Sequence, residues 1–151
     1  MANKSYKVQQ ERQVQEVSNI KKIRDYFNVC PLLDEDARIN VDYWGNEPIE
    51  YTIYSEPSQS IIKQYVDGGS IRQYQFTFII YANYSADLGQ QLDNTGFLED
   101  FSDWIEENNK KGILPAIEGA YTLEVLGNGF AVAAEDKTIQ FQIPLRVLYR
   151  R

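Results

Sequence analysis

The sequence predicts a single α+β domain: an antiparallel or mixed sheet of about six or seven strands, packed by an N-terminal helix and a central helix. Three observations carry this. Apolar residues recur at helical spacing in only two stretches. Elsewhere they alternate with polar residues, as on half-buried strands. The strands come in runs rather than in βαβ alternation, which argues for antiparallel pairing with the helices on one face. The chain has 151 residues, 43% of them hydrophobic, enough for one core in one domain spanning 1–151. No internal repeat, low-complexity stretch or linker is visible.

Taken in order, residues 1–9 have no partner pattern and read as a flexible arm. Val14, Val17, Ile20, Ile23 and Phe27 form a stripe at steps of three and four, a helix ended at Cys30-Pro31 because the residue before proline avoids the α region. Ile39, Val41 and Tyr43 alternate with polar neighbours, as do Tyr51, Ile53 and Ser55. Gly45-Asn46-Glu47-Pro48 between them carries turn chemistry, so a hairpin over 38–55 is expected. A third strand is expected over 61–66. Asp67-Gly68 then signals a two-residue hairpin turn.

The fourth strand, 70–83, is long, ~46 Å at strand rise. It sets Tyr74, Phe76, Phe78, Ile80 and Ala82 on one face and Gln73, Gln75, Thr77, Ile79 and Tyr81 on the other. A strand of that length is expected to project beyond its own core. Residues 83–93 read as a short helix with a loop. A helix follows from about Asn94-Thr95 to Asn109, with the stripe Phe97, Leu98, Phe101, Trp104 and Ile105 and a capping glycine at Gly112. Strands over 120–126, 130–134 and 138–149 complete the chain. Pro144 lacks an N–H, which places the last strand at an edge or bulges it there.

Composition removes most catalytic chemistry. There is no histidine and one cysteine, which excludes Ser-His-Asp and Cys-His catalysis, imidazole metal sites and Cys₄ clusters. No intrachain disulfide can form, which fits a reducing compartment. The formal net charge is -7, opposed to non-specific nucleic-acid binding. No long apolar run spans a membrane and the first residues form no signal segment, so a soluble protein is expected. Asp34-Glu35-Asp36 lacks the calcium-loop pattern, and Glu99, Asp100, Asp103, Glu106 and Glu107 lie off the helix stripe, as solvated acids do. Gly68-Gly69 and Gly127-Asn128-Gly129 are turns rather than phosphate loops. Asn83-Tyr84-Ser85 matches a glycosylation sequon without a secretion signal. Cys30 at a helix end reads as packing. The expectation is a protein that is not an enzyme and holds no cofactor or metal.

The eleven tyrosines point to assembly, because tyrosine suits surfaces that are part apolar and part wet. The candidate interface residues are Tyr43, Trp44, Tyr51, Tyr54, Tyr74, Tyr81 and Tyr84. Trp44, beside a Gly-Asn turn, is a poor core residue and a contact candidate.

The string Tyr43-Trp44-Gly45-Asn46-Glu47-Pro48-Ile49-Glu50-Tyr51-Thr52-Ile53-Tyr54-Ser55-Glu56-Pro57, then Tyr65-Val66-Asp67-Gly68-Gly69, Arg72-Gln73-Tyr74-Gln75-Phe76, Asn94-Thr95-Gly96-Phe97 and Phe101-Ser102-Asp103-Trp104-Ile105-Glu106 resemble, in order and spacing, the minor capsid proteins of tailed phages and prophages of Gram-positive hosts. Those are similar to tail terminators, also called tail-completion or tail-to-head joining proteins. The resemblance covers about 20–149. It implies a structural protein of the virion, or of a phage-tail-like bacteriocin: a hexameric ring at the head-proximal end of the tail that stops tube polymerisation and joins the head or neck. The implied partners are further copies of the chain, the tail tube protein, a neck or head-completion protein, and the tail sheath if the tail is contractile. DNA would pass through unbound, and the candidates for an acidic lumen or rim are Asp34, Glu35, Asp36, Glu47 and Glu50. The same-class alternative is a head-completion or stopper protein of the neck. The different-class alternative, a small-ligand-binding α+β domain, calls for a deep apolar pocket.

Overall fold

The computed structural model describes residues 19–33, 39–41, 50–83, 96–127, 129–134 and 138–151; at 50, 81–83, 130–134 and 138–139 it describes the backbone alone. Helix α1 covers 19–27. The strands β1 (Ile39–Val41), β2 (Glu50–Ser55), β3 (Ile61–Gln64) and β4 (Ser70–Asn83) follow, then helix α2 (Phe97–Lys110), then β5 (Ala120–Val125), β6 (Phe130–Ala134) and β7 (Thr138–Arg150). The fold is α+β, with one mixed sheet of seven strands in the order β1-β2-β4-β7-β5, β3 pairing with β4 and β6 with β7.

Two long strands form the spine. β4 and β7 pair antiparallel without interruption from Ile71↔Arg150 to Asn83↔Thr138. β4 is not without a partner: β7 pairs with it along its length, and the hairpin end, residues 61–73, contributes nothing to the hydrophobic core. Each spine strand is flanked by a broken strand. β2 and β3 lie successively along β4, and β6 and β5 lie successively along β7. Apart from β1, which has no counterpart among the described residues of the second half, both halves of the chain thus run helix, broken strand, hairpin, long strand. This repeat is invisible in the sequence because it is one of topology and not of residues.

The alternation along β4 and β7 places Phe76, Phe78, Ile80, Phe141, Ile143, Leu145 and Val147 on one face. Both helices cover that face. α1 brings Ile20, Ile23, Tyr26 and Phe27, and α2 brings Phe101 and Ile105, their apolar residues three or four apart as one helix face requires. Phe27 stacks on Phe101 at 5.6 Å and meets Phe78 at 5.0 Å, so the two helices and the sheet share one aromatic cluster. Each such phenylalanine contributes about 1.5–3 kcal/mol by burial. α2 starts after Gly96, with no side-chain cap; Asn94 and Thr95 lie outside the described residues. It ends as expected at Gly112, whose φ of 74° is left-handed and favours glycine. The Gly112 N–H donates to the Asn109 carbonyl and the Ile113 N–H to the Asn108 carbonyl, the paired bonds of a Schellman cap.

Three expectations are corrected. β1 and β2 do not form a hairpin: they pair parallel, Ile39 opposite Tyr51 and Val41 opposite Ile53. Alternation assigned the faces properly, since Ile39 and Val41 pack on the core, but alternation carries no strand direction. The turn after β3 has three residues. The Gly68 N–H donates to the Tyr65 carbonyl and the Tyr65 N–H to the Gly69 carbonyl; Gly68 takes a positive φ, 94°, and Val66 is turn rather than strand. Pro144 sits inside the sheet, opposite Thr77. Its missing N–H falls between the stretches paired with β6 and β5, where its carbonyl still accepts from the Leu126 N–H at 2.8 Å.

Candidate functional site

The sheet face away from the helices carries a polar pattern. Registration aligns Gln75, Arg146 and Glu124 across β4, β7 and β5. Arg146 donates from Nε to Glu124 at 2.8 Å and from a terminal nitrogen to the Gln73 amide oxygen at 3.3 Å. That oxygen also accepts from Gln75 at 3.1 Å. Thr77 donates to Glu56, and Gln142 to Gln140. The Arg146–Glu124 pair is part exposed, so its contribution to stability is small, ~0–1 kcal/mol. The network fixes the orientation of several amides and charges on this face, which also holds the buried Thr52, Thr77, Ile79 and Leu148. Among the described residues, both helices lie on the other side.

The candidate tyrosines do not converge. Tyr51 is 6% exposed and belongs to the core, its ring 5.8 Å from that of Phe78. It is removed from the interface set. Tyr54, three residues on, must face the opposite way on a strand and is half-buried there. Tyr74 lies on the core side, its hydroxyl 2.6 Å from the Ser55 hydroxyl. The backbone of Tyr81 pairs with Glu50 and Gln140. The side chains of Tyr81 and Glu50, and all of Tyr43, Trp44, Tyr84, Asp34, Glu35, Asp36 and Glu47, lie outside the described residues.

The sheet edges hold features that strand and helix periodicity did not reveal. On β5 the Leu123 N–H and carbonyl point away from β7. The side-chain amide of Asn109 on α2 takes both, accepting from the N–H at 3.2 Å and donating to the carbonyl at 2.9 Å. An amide in this position imitates a neighbouring strand and blocks the edge. The signal was the pair Asn108-Asn109 closing a helix whose other polar residues are mostly charged. Below this contact, α2 and β5 enclose an open groove of about 740 Å³, its walls including Leu98, Leu123 and Val125 and the acids Glu99, Asp103 and Glu106. At the opposite edge, the β3–β4 hairpin exposes Ile62, Tyr65 and Val66.

Under the helices, the Asn108 amide donates to the Tyr26 hydroxyl at 3.1 Å. Burial pushes the Tyr26 phenol up to about 12, with the Asn108 bond opposing and Cys30 adding to the rise; burial likewise raises the Cys30 thiol. Tyr26 therefore stays neutral in the fold while the unfolded chain ionises near pH 10. Its contribution is full below that pH and is lost as pH rises through about 12, roughly 2–3 kcal/mol in all. Denaturant titrations from pH 8 to pH 12 are expected to show this loss, and Tyr26→Phe to reduce it while lowering stability at pH 8, because Asn108 loses a partner. An identical pH slope in wild type and variant would refute the assignment.

Among the described residues no group of three or more His, Cys, Asp or Glu side chains could hold a metal ion, and no helix is long and apolar enough to cross a membrane. No protein-family model matches the chain, and no curated protein matches its sequence.

Proposed function

We propose that this protein is a structural subunit of a phage tail or phage-tail-like particle, a tail terminator that forms a ring on the tube, ends its growth and joins it to the head or neck. The observation that supports an assembly role is the one-sided sheet. All the helical cover described lies over one face, and the other presents a hydrogen-bonded lattice of Gln73, Gln75, Arg146 and Glu124. Fixed, part-exposed polar groups on a sheet face suit subunit packing, where interfaces average one hydrogen bond per ~100–200 Å². The particle itself is read from the resemblance of the strings over 43–57, 65–76 and 94–106. The small-ligand alternative calls for a deep apolar pocket, whereas the groove found is open and acid-rimmed.

The test is addition of purified protein to purified tail tubes and, separately, to purified heads. The expected result is an annular density at one tube end and arrested elongation. Binding to heads alone would reassign the protein to the neck as a stopper. Binding to neither would sink the proposal.

A further inference from the structure

We infer that the β3–β4 hairpin of one copy of this chain docks into the α2–β5 groove of the next, a head-to-tail contact. The two surfaces match in chemistry. Val66 stands fully exposed at the hairpin tip, and Ile62 and Tyr65 are nearly half exposed, an apolar cluster on a narrow projection. Cations accompany it: the Lys63 ammonium lies 5.1 Å from the centre of the Tyr65 ring, and exposed Arg151 is bonded through its backbone to Ser70 at the base of the hairpin. The hairpin's one acid, Asp67, accepts from the Gly69 N–H and so serves the turn. The groove presents the converse. Leu98 and Val125 supply part-exposed apolar surface beside the buried Leu123, and Glu99, Asp103 and Glu106 have no ion-pair partner among the described residues.

The sheet order keeps these surfaces apart within one chain. β3 lies on the outer side of β4 and β5 on the outer side of β7, three strand spacings or roughly 14 Å away. A tip on one edge that fits a groove on the other makes a heterologous contact, which closes into a ring or runs on as a filament. Only the choice of ring rests on the tail-terminator reading.

The experiment uses two single variants of the full chain, Val66→Cys and Ser102→Cys, Ser102 being a groove residue. They are mixed with a disulfide-forming oxidant at about 1 mM of each variant, where a contact of millimolar Kd is populated to roughly a third. The mixture is expected to yield a reducible dimer well above either variant alone; the singles also measure any background from buried Cys30. Lys63→Glu in the hairpin variant is expected to lower the yield several-fold at low salt, and Asp103→Lys in the groove variant to restore it. These positions are exposed or at the surface of the groove, and melting curves would verify folding. A mixed yield no greater than that of the singles, or one indifferent to the charge swap, overturns the inference. The outcomes separate the two readings: linkage without capping of tubes removes the tail role and keeps the contact, whereas a ring on the tube without linkage does the reverse.

Discussion

Phe27→Ala is expected to lower stability by about 3–5 kcal/mol, the usual cost of deleting a buried phenylalanine. In a domain of this size that corresponds to a fall of the thermal midpoint on the order of 10 °C. Phe27 is fully buried and touches every layer of the fold: Phe76 and Phe78 on β4, Phe101 and Trp104 on α2, and Tyr26 beside it. Its removal leaves a void where two helices and the sheet converge, and none of the three can close it without parting from the others. Phe27→Leu, which keeps most of the volume, is expected to cost less than half as much. Calorimetry checks both. A loss below about 1 kcal/mol for the alanine variant would mean that the helices do not share one core.

Asn109→Ala is expected to cost about 1–3 kcal/mol and to change solution behaviour more than stability. The substitution removes both bonds to Leu123 and leaves an N–H and a carbonyl facing outward on an edge strand, a template for pairing with another chain. Asn109→Asp is the sharper variant: the carboxylate still accepts from the Leu123 N–H but repels its carbonyl. Light scattering on heating should show earlier aggregation for both variants than for a surface control such as Glu107→Ala. Equal aggregation onset in all three would refute the guard role of this amide.

How far these features were legible in the sequence depends on which property the residue pattern encodes. Period and length gave β4 at its observed bounds, Ser70 to Asn83, and the α2 stripe with its glycine cap. Direction was not encoded. Ile39 and Ile53 read the same whether their strands run parallel or antiparallel, so a pair of neighbours became a hairpin on paper. Side-chain role was encoded weakly. Tyr51 and Tyr54 are chemically identical, and only the face set by Ile53 between them sends one into the core and the other out. Pairwise recognition such as that of Asn109 for Leu123 leaves no periodic trace, since it joins an amide to backbone groups that every residue possesses.

The seam between β4 and β7 has a consequence for how the molecule forms. Each half closes its own hairpin through a short loop, a microsecond event. The ladder joining the halves pairs residues roughly fifty to eighty positions apart, and chain entropy makes such distant contacts slow. The halves are therefore expected to acquire their hairpins first and to find each other afterwards. Once zipped, the seam lies under both helices, and opening it requires parting the whole aromatic cluster. Hydrogen–deuterium exchange is accordingly expected to find the central amides shared by β4 and β7 among the last to exchange, through unfolding of the entire domain.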